Sequence, residues 1–181
     1  RIGEFNSWLK AMSKILIDID SDFKKRVSKR SMKDCIISSV KCGALNNFDE
    51  SVSLSITSNE KLKELNGSFL GKNETTDVLA FPFNSNWKEG KLTDKNFDNY
   101  QNLKHLGDIF ISFPKIKDQA KTFKTGIQLE LNIILAHGVL HLLGYDHKNK
   151  KMRQKMFIKT VEIIKHLKLD HIKAKLSLES R

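Results

Sequence analysis

The stretch IQLELNIILAHGVLHLLGYDH, residues 127–147, limits more than any other what this chain can become. Eleven of its first seventeen positions are apolar and fall on every side of a helical projection. A helix over 127–143 is therefore predicted to be buried all round. Thr125 followed by Gln128 reads as a capping-box start, and Gly144 as the C-terminal stop. His137 and His141 lie one turn apart on one face of this helix. Gly144 lets the chain reverse, and His147 follows three residues later. A lone histidine on an apolar face is ordinarily a core residue with one satisfied hydrogen bond. Three at this spacing can instead converge on one point, as a tetrahedral metal with a fourth position left for water requires. Leaving them unpartnered in so apolar a helix would be costly. His137, His141 and His147 are thus the expected ligands of one ion per chain. Gln128, Glu130, Asn132 and two histidines inside the helix argue against a membrane span.

The spacing equals that of the metzincin signature H-E-x-x-H-x-x-G-x-x-H, with Gly138 where that signature has its general-base glutamate. A metzincin-like protease is therefore the second choice. Three neutral imidazoles leave a divalent ion its full charge. Zinc is the expected metal, although nickel, copper and iron also suit imidazole. Such an ion activates water near neutral pH and polarises phosphoryl oxygens.

Charge points to the substrate. The chain carries 32 Lys and Arg against 21 Asp and Glu, a net +11, which favours a polyanionic partner. The excess concentrates in residues 148–175, where ten basic residues face only Glu162 and Asp170. Such a segment can also be a merely solvated helix face. Lys148, Lys150, Lys151 and Arg153 are the candidate phosphate contacts, with Lys72 as a further one. An open-site metal on a basic protein reads as a phosphodiesterase acting on nucleic acid. Asp146, beside His147, is the candidate catalytic carboxylate, a turn-capping role being its alternative. Lys72 is a candidate for contacting the reacting phosphate. Asp77 and Asp108, at strand starts, are candidate acceptors for a ligand imidazole.

Along the chain, residues 1–11 read as a cloning-derived leader before Met12. Residues 12–168 read as one domain, and 169–181 as a loose tail. Strands are expected at 14–20, 51–57, 78–81 and 109–112. Pro82 is expected to close the third, and 84–106 to be a polar surface excursion. Helices are expected at 31–45, at 59–66 with Gly67 as terminator, from Pro114 to about Lys124, at 127–143, and from beyond His147 to about Leu167. The last should bury Met152, Met156, Phe157, Val161, Ile163, Ile164 and Leu167. The order predicts an α/β single domain with a small mixed sheet of about four strands and the metal-binding helix in the C-terminal third. Cys35 and Cys42 would lie about 10 Å apart on one helix, at about 1.5 Å per residue, too far for a disulfide. Free thiols fit a reducing cytoplasm.

Three blocks carry a family resemblance. HGVLHLLGYDH resembles the signature of the YbeY family, rRNA maturation factors and metal-dependent endoribonucleases. TTDVLAFPF at 75–83 is similar to that family's TDVLSFP segment, and LGDIFIS at 106–112 to its LGDI strand. The blocks keep the family's order, and the resemblance runs from about Lys14 to about Leu167. It implies a zinc-dependent single-strand endoribonuclease acting on small-subunit rRNA near its 3′ end, with RNA and the small ribosomal subunit as partners, in the cytoplasm. A ribosome-associated binding factor with a structural metal is the alternative. Two departures stand out. Leu70 occupies the place where the family carries an arginine near the cleft, and KNKKMRQK replaces a family segment that is usually acidic.

Overall fold

The computed structural model describes residues 14–44, 50–83, 86–93 and 105–180. The expected leader at 1–11, Leu45 at the end of the expected first helix, and residues 84–85 and 94–104 of the expected excursion lie outside them. The described residues form six strands and six helices, alternating only at the start: β1 (Ile15–Ile19), α1 (Lys29–Gly43), β2 (Ser51–Thr57), α2 (Asn59–Leu70), β3 (Val78–Pro82), β4 (Trp87–Lys88), β5 (Lys91–Leu92), β6 (His105–Ser112), α3 (Phe113–Thr122), α4 (Ile127–Leu142), α5 (Lys150–His166) and α6 (His171–Glu179). The main sheet runs β1-β2-β6-β3, with β1, β2 and β6 parallel and β3 antiparallel on the β6 edge. The expected small mixed sheet of four strands is therefore present.

Alternation decides which side of the sheet is dry. Val52, Leu54 and Ile56 of β2 are buried and lie level with Ile15, Ile19, Ile109 and Ile111 on the neighbouring strands. The intervening Ser53 and Ser55 stay half-exposed, as a one-sided sheet requires. Helices α1 and α4 cover the apolar side. The Cys35 thiol donates to the Asn132 carbonyl at 3.3 Å, and Asn132 Nδ2 donates to Ser31 Oγ at 3.1 Å, joining the two helices. Both cysteines are free. On the other side α2 covers the β6–β3 half, burying Leu62 and setting the Phe69 ring at a tilt against Phe81, with centroids 5.2 Å apart.

Helix α4 is the core of the molecule. Leu131, Ile133, Leu135, Ala136, Val139, Leu140 and Leu142 have no exposed surface. Burial on every side is what its apolar distribution predicts. Its start differs from expectation. Gly126 caps the helix without a side-chain bond, and Thr125 Oγ1 instead donates to Glu130 Oε2 at 2.7 Å. Gln128 accepts from the Ser28 N–H at 3.0 Å, 100 residues back in the chain. A tertiary partner has displaced the local cap, and the buried Glu130 takes the threonine because it must not be left unsatisfied.

Other boundaries move for local reasons. Helix α2 continues through Gly67 and ends at Gly71, whose left-handed backbone closes it. Pro82 closes β3 as its last residue, which an edge strand tolerates. Within the expected excursion, β4 and β5 form a two-stranded ribbon, and β6 begins at His105. Of the residues expected to be buried in α5, Met156, Ile163 and Ile164 are, whereas Met152, Phe157, Val161 and Leu167 are half-exposed. The expected loose tail is instead helix α6. Asp170 caps it, Ala174 and Ser177 are buried, and Ser177 Oγ donates to Glu130 Oε2 at 3.3 Å.

The β4–β5 ribbon grips the end of α4. Glu89 N–H donates to the Gly144 carbonyl at 3.2 Å, and Gly90 N–H to the Leu143 carbonyl at 2.9 Å. Tyr145 Oη donates to the Gly43 carbonyl at 2.9 Å, fixing the same turn to α1. Gly144 has φ of 76°, and a Cβ there would stand 2.0 Å from the Trp87 carbonyl oxygen. Gly144→Ala should therefore destabilise the protein by about 2 kcal/mol or more, from left-handed strain together with displacement of the ribbon. Denaturant unfolding of the two proteins under metal-free conditions measures it, and equal midpoints would contradict this account.

Candidate metal centre

Helix α4 projects His137 and His141 from one face, and the Gly144 turn returns the chain so that His147 meets them. The ring centroids of His137 and His141 are 4.7 Å apart, those of His141 and His147 5.1 Å, and those of His137 and His147 5.6 Å. One nitrogen from each ring lies within 4.8 Å of the other two, so the three could hold a single ion. The arrangement passes a chemical test as well. His141 Nδ1 lies 3.1 Å from the Tyr145 carbonyl, which can only accept, so Nδ1 carries the proton. Nε2 then keeps its lone pair, the state a metal ligand needs. Burial, followed by the neighbouring His141 and His147, pushes His137 down to about 3. Burial and then His147 lower His141 too. Both imidazoles are thus neutral at pH 7.

The triad lies in the wall of a cleft of about 860 Å³. Thr76, Asp77, Val78, Ala80 and Pro82 of the β3 segment form one side, and Arg153, Met156 and Phe157 of α5 another. Leu178 brings α6 to the same cleft. Leu70, the residue expected at the family's arginine position, also lines it and is 54 % exposed.

The remaining candidates divide. Asp146 lines the cleft, but it caps the His147 N–H at 2.7 Å and pairs with Lys148 Nζ at 2.9 Å. The hydrogen bond from Lys148 holds its carboxyl below the usual carboxylate range, so it is ionised at neutral pH. Asp77 lies in the cleft wall and accepts from Gln119 Nε2 at 2.9 Å. Asp108 belongs to the opposite side of the sheet, level with Phe81 and Ser53, and faces His105 Nε2 at 3.0 Å. Its strand parity carries it away from the triad, so it does not serve a ligand imidazole. Lys72 is exposed in the loop after α2 and is not in the cleft wall. Arg153 reaches that wall, whereas Lys148, Lys150 and Lys151 are exposed and do not line it. Lys150, Lys151 and Arg153 form no ion pair among the described residues, unlike Lys148 with Asp146 and Lys155 with Glu89.

Gly138 has a packing reason. A Cβ there would lie 3.2 Å from Ile109 Cγ2 and 3.3 Å from Val78 Cγ2. The position at which a metzincin carries its glutamate is where α4 presses on the sheet. The sequence missed Val78, Ala80 and Pro82 as cleft residues. The signal was Pro82, since a proline in a strand marks an edge.

Comparison with known proteins gives the fold and the family. The solution structure of TM1509 from Thermotoga maritima has the same fold, with a TM-score of 0.50 at 23 % identity over 85 % of this chain and 91 % of that one. A protein of Halalkalibacterium halodurans named Endoribonuclease YbeY is 38 % identical over 62 % of this chain and 69 % of its own length. A protein of the same name from Acetivibrio thermocellus is 40 % identical over 66 % and 74 %. The family described as Endoribonuclease YbeY matches residues 17–168, nearly the whole described domain, and the chain belongs to that family.

Proposed function

We propose that this protein is a metal-dependent endoribonuclease that hydrolyses phosphodiester bonds in unpaired RNA during ribosomal RNA maturation. The observation that carries the proposal is the convergence of three imidazoles, two of them kept neutral by burial, in a cleft whose wall also holds Arg153. Zinc is the metal we assign, held by His137, His141 and His147. When bound, it supplies a Lewis acid and a water acidic enough to react near neutral pH. The chain does the rest. Tyr145 O orients His141, and the Gly144 turn sets His147 against the α4 pair. Arg153 presents a guanidinium inside the cleft, suited to a phosphate oxygen. Lys150 and Lys151, with Lys148, form a basic rim that attracts the flanking backbone, and Lys72 is a more distant contact. Asp146, ionised at the mouth of the cleft, is the assigned proton acceptor. The substrate we assign is small-subunit rRNA near its 3′ end, with the small ribosomal subunit as partner, in the cytoplasm. No described helix is long and apolar enough to cross a membrane.

Three outcomes check this reading. Purified protein should contain about one zinc-like ion per chain, and His137→Ala, His141→Ala or His147→Ala should each release most of it. Elemental analysis finding metal retained in two of the three variants would refute the triad. Replacing Lys150, Lys151 and Arg153 with glutamine should flatten the dependence of log affinity on log salt by about 2 for single-stranded RNA, at about 0.7 per lost contact. An unchanged slope would move the RNA off the α5 rim. Leu70→Arg should raise single-turnover cleavage of a structured rRNA fragment about tenfold with metal content unaltered, because a guanidinium gains most as charge develops on the phosphate. If neither wild type nor Leu70→Arg cleaves while both bind small subunits, the protein is a binding factor instead.

A further inference from the structure

The pairing of β3 with β6 leaves half of the β3 main chain facing away from the sheet. The Asp77 carbonyl accepts from Ser112 N–H, and Phe83 N–H donates to the Leu106 carbonyl, both at 2.9 Å. In this antiparallel register the odd-numbered residues therefore bond to β6. Val78, Ala80 and Pro82 turn their main-chain groups the other way, and β3 is the last strand of the sheet. All three line the cleft together with His137 and His141. Pro82 has no N–H, and the Val78 carbonyl accepts from Thr76 Oγ1 at 3.4 Å. Ala80 is left with an N–H and a C=O side by side and half-buried, without a partner among the described residues. Half-buried main-chain groups of this kind gain from a partner. Exposed strand edges are usually covered or blunted, and here Pro82 does so for only one position.

We propose that the N–H and C=O of Ala80 form a docking point for an unpaired nucleobase of an RNA strand lying along the histidine cleft. The proposal rests on the endoribonuclease reading for its ligand. Each RNA base carries a donor and an acceptor next to one another on its Watson–Crick edge: N6–H and N1 in adenine, N4–H and N3 in cytosine, N3–H and O4 in uracil, N1–H and O6 in guanine. An amide donor beside a carbonyl acceptor complements every one of them. Base pairing uses up the same edge. The docking point would thus accept any base while rejecting a duplex, and selection for unpaired RNA would come from the main chain of β3. The Pro82 ring, next but one along the strand, adds an apolar surface for the base. An extended peptide could also match this edge by adding a strand. Arg153 in the cleft wall, on a helix whose first turn also carries the exposed Lys150 and Lys151, favours the polyanion.

The test compares a short oligouridylate with its N3-methylated and C5-methylated forms, measuring binding by anisotropy and cleavage in single turnover. Methylation at N3 blocks the Watson–Crick edge, whereas methylation at C5 leaves it free. Wild type should bind and cleave the N3-methylated oligomer about tenfold less well and treat the C5-methylated one as unmodified. Ala80→Pro removes only an N–H that faces away from the sheet, as edge strands tolerate. It should lose the same factor on the unmodified oligomer and no longer distinguish N3 methylation, while Ala80→Ser restores both the amide and the discrimination. Equal binding and cleavage of all three oligomers by wild type would overturn the proposal, and this comparison decides the matter even if Ala80→Pro does not fold. If none is cleaved but binding still discriminates, the docking point stands and the nuclease reading falls. If no oligomer binds, both fall. Competition by an extended peptide, with no discrimination among oligomers, would assign the edge to strand addition and overturn the proposal.

Discussion

The structure depends on a helix whose only open side is the face that lines the cleft. Helix α4 is packed by the sheet, by α1, α3 and α5, and by the ribbon at its end, so its position is fixed by contacts rather than by its own caps. That is why an uncapped start at Gly126 is tolerated. It also explains why two histidines can be held so closely: their Cα positions are set by a close-packed core, where a shift of one methylene is already felt. A helix so largely dry also makes every polar group within it a constraint. Glu130, Asn132, His137 and His141 must each find a partner. Glu130 and Asn132 find hydroxyls, and His141 finds a carbonyl. The free ring nitrogens converge on a place the protein itself does not fill.

The third histidine is held differently. His147 is exposed and belongs to a turn, so its position depends on Gly144, on Tyr145 anchored to α1, and on the ribbon's two hydrogen bonds. The site therefore joins two rigid ligands to one that is set by tertiary contacts. The ribbon has no residue in the cleft, yet it determines the turn on which the site closes.

Much of this was legible because it is periodic or local. Alternation in SVSLSIT and ILIDI gave the strands, and the apolar run of α4 with His137, His141, Gly144 and His147 gave the helix, its burial and the candidate ligands. What was not legible depends on distant partners. The Thr125–Gln128 cap fails because Gln128 serves Ser28 and Thr125 serves Glu130. Helix α2 outlasts Gly67 because glycine mid-helix costs only about 1 kcal/mol, which packing offsets. The side of the sheet on which Asp108 stands follows from register with β2 and β3, which no local pattern of LGDIFIS discloses. Helix α6 was missed for the same reason: lysine-rich and weakly amphipathic, it is held by Ser177 and Ala174 against a core the tail's own sequence does not contain.

The Ser177–Glu130 contact has a further consequence for where this domain stops. The family match ends at residue 168, before α6 begins. Yet the carboxylate inside α4 takes one of its hydrogen bonds from α6, and Leu178 forms part of the cleft wall. A chain cut at the edge of the recognisable family would leave a buried acceptor with one donor fewer, inside the same helix that carries His137 and His141. The stretch matched by the family and the residues that pack around α4 are therefore not the same set, and the matched stretch leaves out part of the cleft wall.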